Sequence, residues 1–320
     1  MRRTLVALAA MMVIGDVAAA ADAFPTRPIR LICPQPAGGG VDLLSRIIAP
    51  KLGEALGGTM VVDNRPGAGG AIGSELAAKA PADGYTILMG NLTSHGIYPA
   101  AGKLPVDALK DFAPIGLVAE TLDVLVVHPA LGVRTVAELI ARAKAAPGKL
   151  DYATAGPGSG PHLAGELFKQ MSGIDIVAIP YKGTGPAMSD TSSGQVKIMF
   201  PTLPSSIAFI QSDKLTALAV TGNHRSPLIP TVPTMVEAGL AGYDIVEWYG
   251  ILAPAGLPAE LVTRYSNALK ATLAAPEIRA AVTAAGPEVK FSTPAEFSAY
   301  MAREIARWGA LIKSAGITIE

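Results

Sequence analysis

The chain has 320 residues, of which half are apolar and 16% are charged, so it can build a sizeable core, and its length favours two lobes over one. Its formal net charge is zero, so nothing in the composition indicates nucleic acid or an acidic membrane surface as a partner. Aromatic residues make up 5% of the chain, which argues against a surface for stacking bases.

Residues 1–20 have the pattern of a secretory signal peptide. Two arginines at 2–3 precede an apolar stretch from Leu5 to Ile14, and Ala18-Ala19-Ala20 is a small-residue cleavage site, with cleavage after Ala23 as an alternative. The apolar stretch is too short to span a bilayer, and no later stretch is long and apolar enough. The chain contains one cysteine, which excludes an internal disulfide. We therefore expect export to a bacterial periplasm and a mature chain that does not insert into a membrane.

The first strand pattern is followed by a glycine turn. Ile29 to Cys33 is an apolar run, the glycines at 38–40 allow a sharp turn, and apolar residues then recur at helical spacing from Leu43 to Leu52. This order places several unpaired N–H groups, and the positive end of a helix dipole, at one spot. The stretch therefore predicts an anion-binding site that needs no arginine.

The same order of strand, turn and helix recurs along the chain and predicts an α/β fold with mostly parallel sheets. Ligands of such sheets bind outside the carboxyl ends of the strands. Two lobes that face each other with these turns would form a cleft of N–H groups and hydroxyls, which suits a small anion, most commonly a carboxylate. The predicted turns are residues 36–40, 65–70, 90–95, 155–160, 182–185 and 201–206.

Two apolar stretches, near residues 113–128 and 215–222, are interpreted as crossings between the lobes and as the place of a hinge. They divide the chain after the signal peptide into a first lobe made of residues 21–118 and 221–320 and a second lobe made of residues 119–220.

Several polar side chains near the turns allow more than one interpretation. Asp42 could fix the glycine loop, a bound water or an amino group on the ligand, or it could be a first-turn acid favoured by the helix dipole. His95 and His162 could contact ligand, but such a histidine is more often a polar surface or capping group. Lys182 could pair with an acid or be a solvated loop lysine.

The sequence matches the motifs of dinucleotide-binding, metal-binding and serine-hydrolase sites poorly. The glycines at 67–73 have the spacing GxGxxxG rather than GxGxxG, and no acid closes the next strand to hold a ribose. No HExxH motif or paired Cys/His set offers metal ligands, and Ser159 does not lie in a GxSxG elbow. We therefore expect no catalytic residue, no cofactor and no metal.

At these residues the chain closely resembles the Bug/TctC extracytoplasmic solute receptors of tripartite tricarboxylate transporters. The similarity runs from about residue 25 to the C-terminus. The matching strings are Pro25-Thr-Arg-Pro-Ile-Arg30, Pro36-Ala-Gly-Gly39 with Asp42 and Arg46, Val62-Asp-Asn-Arg-Pro-Gly-Ala-Gly-Gly70, Pro81-Ala-Asp-Gly-Tyr-Thr86, Ala155-Gly156 with Gly158-Ser159 and His162-Leu163, Pro180-Tyr-Lys-Gly183, Gly194-Gln-Val196, and Val232-Pro-Thr234 with Glu237-Ala-Gly239.

The resemblance implies a two-lobed periplasmic binding fold of the type II-like class, with the N- and C-terminal segments in one lobe. It also implies a carboxylate held in the cleft, often through ordered waters. At matching positions it implies a first-lobe carboxylate and water site at Ala37, Gly38, Gly39 and Asp42, a second-lobe loop at Gly158, Ser159 and His162, and variable loops at Asn91, Ser94 and Thr202 that contact the rest of the ligand.

Three positions depart from the family pattern. Gln35 stands where the family usually has Phe, Lys197 where an acid is usual, and Ser192-Ser193 where a Leu-Gly-type turn is usual. These departures leave the fold intact and leave the ligand identity open.

The function expected from the resemblance is that of a monomeric periplasmic receptor. It would capture a small mono-, di- or tricarboxylate, with aromatic acids among the candidates, and deliver it to membrane permease subunits. One alternative is a ligand-sensing component that docks on a sensor kinase and feeds no transporter. Another is a periplasmic hydrolase that uses Ser159 and His162.

Overall fold

A computed structural model describes residues 24–319. The predicted signal peptide and both candidate cleavage positions lie outside this part of the chain. Among the helices of residues 24–319, none combines the length and the apolar character that a membrane crossing requires.

The described residues contain eleven strands in two sheets. The first sheet has the order β11-β4-β10-β3-β1-β2, and the second has the order β7-β6-β8-β5-β9. Strands from both ends of the chain therefore share the first sheet. In chain order the strands are β1 Ile29–Cys33, β2 Met60–Asn64, β3 Thr86–Asn91, β4 Phe112–Leu122, β5 Val124–Val127, β6 Asp151–Thr154, β7 Val177–Pro180, β8 Ile198–Met199, β9 Thr216–Val220, β10 Val246–Pro254 and β11 Glu288–Val289.

Helices cover the sheets and follow most of the strands. Two α-helices that begin at threonine caps illustrate how the sequence sets their limits: Thr135 and Thr293 each accept a hydrogen bond from the backbone N–H three residues later. The α-helices are α1 Gly40–Leu56, α2 Ala71–Ala78, α3 Tyr98–Ala100, α4 Val136–Ala145, α5 Gly160–Ser172, α6 Thr184–Ser193, α7 Leu203–Gln211, α8 Ala259–Ala274, α9 Pro276–Ala284 and α10 Pro294–Ala315; single 3₁₀ turns lie at Ala68–Gly70 and Pro129–Leu131, and a π-helical turn lies at Thr93–Ile97.

The first sheet is buried on both faces, which explains why its central strands are continuous apolar runs. Leu31 on β1 lies in a cluster with α1 and α8, whereas Ile32 lies in a cluster with the large aromatic side chains Trp248, Phe297 and Trp308. Successive residues of a strand point to opposite faces, so a buried strand needs apolar residues at every position.

The chain passes from the first sheet to the second at a single residue, Asp123, between β4 and β5. Its N–H donates to Oγ1 of Thr221 at 3.0 Å, and the N–H of Thr221 donates to the carbonyl oxygen of Asp123 at 3.0 Å. The hydroxyl of Thr221 also donates to the carbonyl of Ile245, directly before β10, at 2.7 Å. The outward and return passages are therefore hydrogen-bonded to each other, and they lie within residues 113–128 and 215–222.

The predicted α/β fold is confirmed, with two sheets, but the sheets are mixed rather than mostly parallel. Parallel pairs join β1 to β2 and β3, and β6 to β7 and β8. The strands next to the crossings pair in the antiparallel direction: β10 with β3 and β4, and β5 with β8 and β9. The reason is that each strand that enters a sheet through a crossing, rather than through a helix, runs back along its neighbour.

Candidate ligand-binding cleft

A cavity of about 640 Å³ lies where the carboxyl ends of strands from the two sheets face each other. Every one of the six predicted turns contributes to its lining, since the cavity wall includes residues 36–40, 69, 91, 155, 157–160, 183–185 and 202. A second cavity of about 560 Å³ continues from the same loops along α6 and α7. The turns that are far apart in the sequence therefore form one site.

Four helices begin at this cavity. Their N-cap residues are Gly39, Ser159, Gly183 and Thr202, and all four line it. No side chain of these residues accepts a hydrogen bond from the first turn of its helix. Side chains therefore leave the first-turn N–H groups of these helices available, except at Pro161, Pro186 and Pro204, which have none. Each helix also directs the positive end of its dipole to the cavity. Among the described lining residues there is no lysine, arginine or histidine, so backbone supplies the positive potential.

The glycine loops of the two lobes are held in the same way. The N–H of Gly38 donates to Oδ2 of Asp42 at 2.9 Å, and the N–H of Gly158 donates to Nδ1 of His162 at 3.1 Å. Each glycine has a positive φ, +84° and +72°, and each precedes its helix by two residues. A left-handed residue at these positions favours glycine. In both lobes a side chain one helical turn further on thus fixes the loop.

Asp42 holds the first loop from behind and does not line the cavity. It is 3% exposed, receives hydrogen bonds from Nδ2 of Asn64 and Nε of Arg46, and forms an ion pair with Arg46. Burial pushes the pKa of Asp42 upward, but the hydrogen bonds from Arg46, Gly38 and Asn64 together outweigh it and leave the pKa below its usual value. Of the interpretations open from the sequence, the geometry matches the one in which Asp42 fixes the loop.

His162 occupies the corresponding place in the second lobe and also lies outside the cavity lining. Burial lowers its pKa, so the ring is neutral at pH 7. Because Nδ1 accepts from Gly158, the remaining ring proton is on Nε2. Ser159 donates to the carbonyl of Gly156 at 2.7 Å and makes no hydrogen bond with His162 in the described structure. The pair therefore lacks the geometry of a nucleophile and its base.

The loop after β3 contains a chain of hydrogen bonds that ends at the cavity. Oγ of Ser94 lies 2.9 Å from Nδ1 of His95 and donates to Oδ1 of Asn91 at 2.8 Å. Asn91 lines the cavity, whereas Ser94 is buried behind it. His95 is fully buried against Phe112, and burial lowers its pKa to about 3. It is therefore neither a ligand contact nor a surface residue, and it supports Asn91 through Ser94.

Seven of the ten predicted site residues line the cavity, namely Ala37, Gly38, Gly39, Asn91, Gly158, Ser159 and Thr202. The other three, Asp42, Ser94 and His162, lie behind the lining and position it. Gln35, one of the three departures from the family pattern, also lines the cavity. Lys182 is exposed and does not line it.

Two acids were missed from the sequence. Glu247 on β10 lines the cavity and accepts a hydrogen bond from Nδ2 of Asn91 at 2.9 Å. Asp123, at the crossing between the sheets, is 1% exposed. Burial raises the pKa of Glu247 to about 7, and burial together with the nearby Glu247 raises the pKa of Asp123 well above its usual range. The only available signal was a charged residue within an apolar stretch of sequence at each position.

The tripartite tricarboxylate transporter family receptor model matches residues 44–317. The protein BugT of Bordetella pertussis is 35% identical over 327 aligned positions, which cover 100% of this chain and 99% of BugT. Among solved structures, R. palustris Rpa4515 with adipate is 36% identical, with a TM-score of 0.83 over 92% of this chain and 99% of that one. MatC from Rhodopseudomonas palustris with bound malate is 29% identical, with a TM-score of 0.80 over 90% of this chain and 100% of that one.

The matched family is one of transporter receptors, and the two neighbours were solved with adipate and with malate. The match extends over most of the chain, and the cleft has the uncapped helix N-termini that a solute-binding site for anions requires. The chain belongs to the tripartite tricarboxylate transporter receptor family, whose members include the Bug proteins.

Proposed function

We propose that this protein is a periplasmic receptor that closes two lobes around a small carboxylate and delivers it to the membrane subunits of a tripartite tricarboxylate transporter. The observation that carries the proposal is the convergence of four uncapped helix N-termini on one cavity whose described lining has no cationic side chain. A carboxylate matches such N–H groups in charge and in hydrogen-bonding capacity.

Closure follows from the way the lobes are joined. The first lobe contributes the loops after β1, β2 and β3, and the second contributes those after β6, β7 and β8. A ligand that contacts both sets gains its full set of contacts only when the lobes are together, so binding shifts the population to the closed form. We place the hinge at Asp123 and Thr221, where few residues need to change their backbone angles.

Location and partners rest on the sequence pattern and on the family. Residues 1–20 have the pattern of a signal peptide, and the family consists of receptors for tripartite transporters. We propose that the mature chain acts as a monomer in the periplasm and that the permease subunits recognise its closed form.

A melting-temperature screen of the mature chain tests the binding proposal. The panel contains succinate, malate, adipate, citrate and benzoate, with neutral sugars as controls. A ligand bound only by the folded form raises the melting temperature as its concentration increases. At 100 times its Kd it adds about 2.7 kcal/mol to the free energy of unfolding. Stabilisation by sugars and by none of the acids would contradict the proposal.

Delivery is tested separately by uptake. Cells that express the permease subunits should take up the radiolabelled acid only when the receptor is also present. Binding without receptor-dependent uptake would contradict the transport role and leave the binding role standing.

A further inference from the structure

Two buried carboxyl groups lie close together at the cavity in which an anion is proposed to bind: Glu247 lines it, and Asp123 lies directly behind the lining. Glu247 is 8% exposed and Asp123 is 1% exposed. A β-carbon placed on Gly160, the first residue of α5, would lie 3.5 Å from Oε2 of Glu247 and 3.9 Å from Oδ2 of Asp123. Gly160 and Glu247 both line the cavity, and Oδ2 of Asp123 lies just behind this part of its wall. We call Asp123 and Glu247 the acid pair.

The hydrogen bonding of the acid pair is incomplete. Oε1 of Glu247 accepts from Asn91, but Oε2 has no partner among residues 24–319. Oδ1 of Asp123 is fully buried and has no partner, and no described residue donates to its other side-chain oxygen. A buried carboxyl oxygen without a donor is costly, so this wall of the cavity lacks at least one hydrogen-bond donor.

The described protein does not supply the missing positive charge. Neither acid forms an ion pair, and no lysine, arginine or histidine is among the described lining residues. The nearest helix N-terminus, that of α5, faces the pair, but its N–H groups donate to neither carboxyl. A second carboxylate of a ligand would oppose the ionised form of the acid pair, whereas a cation would stabilise that form.

We propose that the acid pair binds a positively charged nitrogen of the ligand, so that the preferred solute carries an ammonium group as well as a carboxylate. The carboxylate binds at the uncapped helix N-termini, and the ammonium donates to Oε2 of Glu247 and to Asp123. The inference rests on the proposed carboxylate function and specifies the second end of the same ligand.

Matched ligands separate the alternatives. Calorimetric titration of the mature chain compares succinate with succinamate and γ-aminobutyrate, and adipate with adipamate and ε-aminocaproate. In each series the chain length is similar, and the second end changes from anion to neutral amide to cation. We expect the amino acid to bind most tightly in at least one series, by at least about tenfold over the dicarboxylate, since hydrogen bonds between charged groups are the strong ones.

Conservative variants assign the effect to the pair. Glu247→Gln keeps the acceptor for Asn91 and removes the charge. We expect it to weaken binding of the amino acid by about tenfold or more and to tighten binding of the dicarboxylate, whose second carboxylate no longer meets an ionisable acid at this position. Asp123→Asn should act in the same direction. Glu120→Gln is the matched control, because Glu120 is also a partly buried strand acid but pairs with Lys290 outside the cavity lining. Melting curves establish that each variant folds.

The outcomes distinguish this inference from the proposed function. If no carboxylate of any kind binds, the proposed function fails. If dicarboxylates bind as tightly as the amino acids, or if Glu247→Gln leaves the preference unchanged, only the assignment of the acid pair fails. An amide that binds more tightly than the matched amine would overturn the assignment of a cation.

Discussion

The side-chain amide of Asn91 donates a hydrogen bond of 2.9 Å to Oε1 of Glu247, although the two residues are 156 positions apart in the chain. Asn91 ends β3 and Glu247 lies near the start of β10, and these strands are antiparallel neighbours in the first sheet. Ser94 donates to Oδ1 of Asn91, which directs the amide nitrogen to Glu247. The pairing of β3 with β10 therefore connects the loop after β3 to Glu247 of the acid pair.

Replacing Asn91 should destabilise the protein. Asn91→Ala leaves Oε1 of Glu247 without its donor in a buried place, whereas the hydroxyl of Ser94 keeps Nδ1 of His95 as a partner. We therefore expect a loss of about 1–3 kcal/mol in the free energy of unfolding. Urea unfolding measures the loss. Asn267→Ala is the control, because Asn267 is exposed on α8. A change below about 0.5 kcal/mol in Asn91→Ala would show that the network adds little to stability.

Removing the Glu247 charge should stabilise the unliganded protein at alkaline pH. The folded pKa of about 7 exceeds the usual 4.5, so the folded state keeps a proton that the unfolded state has lost between these values. Stability of the wild type therefore falls, relative to a neutral residue, as pH rises from 4.5 through 7. We expect Glu247→Gln to match the wild type near pH 4 and to be roughly 3 kcal/mol more stable at pH 8.

Urea unfolding of both proteins across this pH range measures the difference. The other ionisable groups that act on Glu247 are Asp123, Tyr249 and Glu304, and Glu304 is itself paired with Arg307. Glu304→Gln therefore serves as the companion variant. Equal stability of Glu247→Gln and wild type at pH 8 would mean that Glu247 ionises without a burial penalty.

A side chain at Gly39 should abolish binding without loss of the fold. Gly39 has φ −80°, which any residue adopts, and the nearest described atom to an added β-carbon is the carbonyl oxygen of Pro36 at 3.4 Å. Because Gly39 lines the cavity, Gly39→Val fills the space where the ligand approaches the backbone. We expect a normal melting temperature and no measurable affinity, with Gly39→Ala intermediate. Full affinity in Gly39→Val would place the ligand elsewhere.

The histidine that holds the second loop should make binding sensitive to acid. His162 has a lowered pKa in the folded state, so the neutral ring is favoured, and stability is lost as pH falls below the unfolded value of 6.5. Protonation also removes the Nδ1 acceptor of the Gly158 N–H. We expect His162→Asn, which retains an acceptor, to bind at pH 7 and to lose less affinity than wild type on acidification.

His162→Phe is the matched variant without an acceptor, and it should bind weakly at every pH. Titration calorimetry at pH 7 and pH 5 measures all three proteins. The same acid sensitivity in His162→Asn as in wild type would assign the effect to another group.

The first-lobe loop should depend on Asp42 at neutral pH. The pKa of Asp42 is below its usual value, so the stability that its ionised form contributes is present above pH 4 and is lost as pH falls through the folded pKa. Asp42→Ala leaves Gly38, Asn64 and Arg46 without this acceptor, and we expect about 1–3 kcal/mol of destabilisation at pH 7. Thermal unfolding at pH 7 and pH 3 should show a larger difference between the two proteins at pH 7 than at pH 3.

The local features of the cleft could be predicted from the sequence because they depend on neighbouring residues. A strand, a glycine-containing turn and an amphipathic helix follow one another within about a dozen residues, and backbone geometry then determines where the helix N–H groups point. All six turns were found in this way, and seven of the ten predicted site residues line the cavity. The backbone character of the anion site, without a cationic side chain, follows from the same local order.

Only the tertiary structure determined that the two residues of the acid pair lie together and in which direction the strands pair. Glu247 and Asp123 lie 124 positions apart, and they meet because β10 enters the first sheet between β3 and β4 while Asp123 sits at the crossing between the sheets. Neither has a sequence neighbour that marks it as part of the cleft. Burial, which sets the pKa of both carboxyls, is produced by the packing of distant elements, and so only the folded chain shows that two buried acids lie at the cleft.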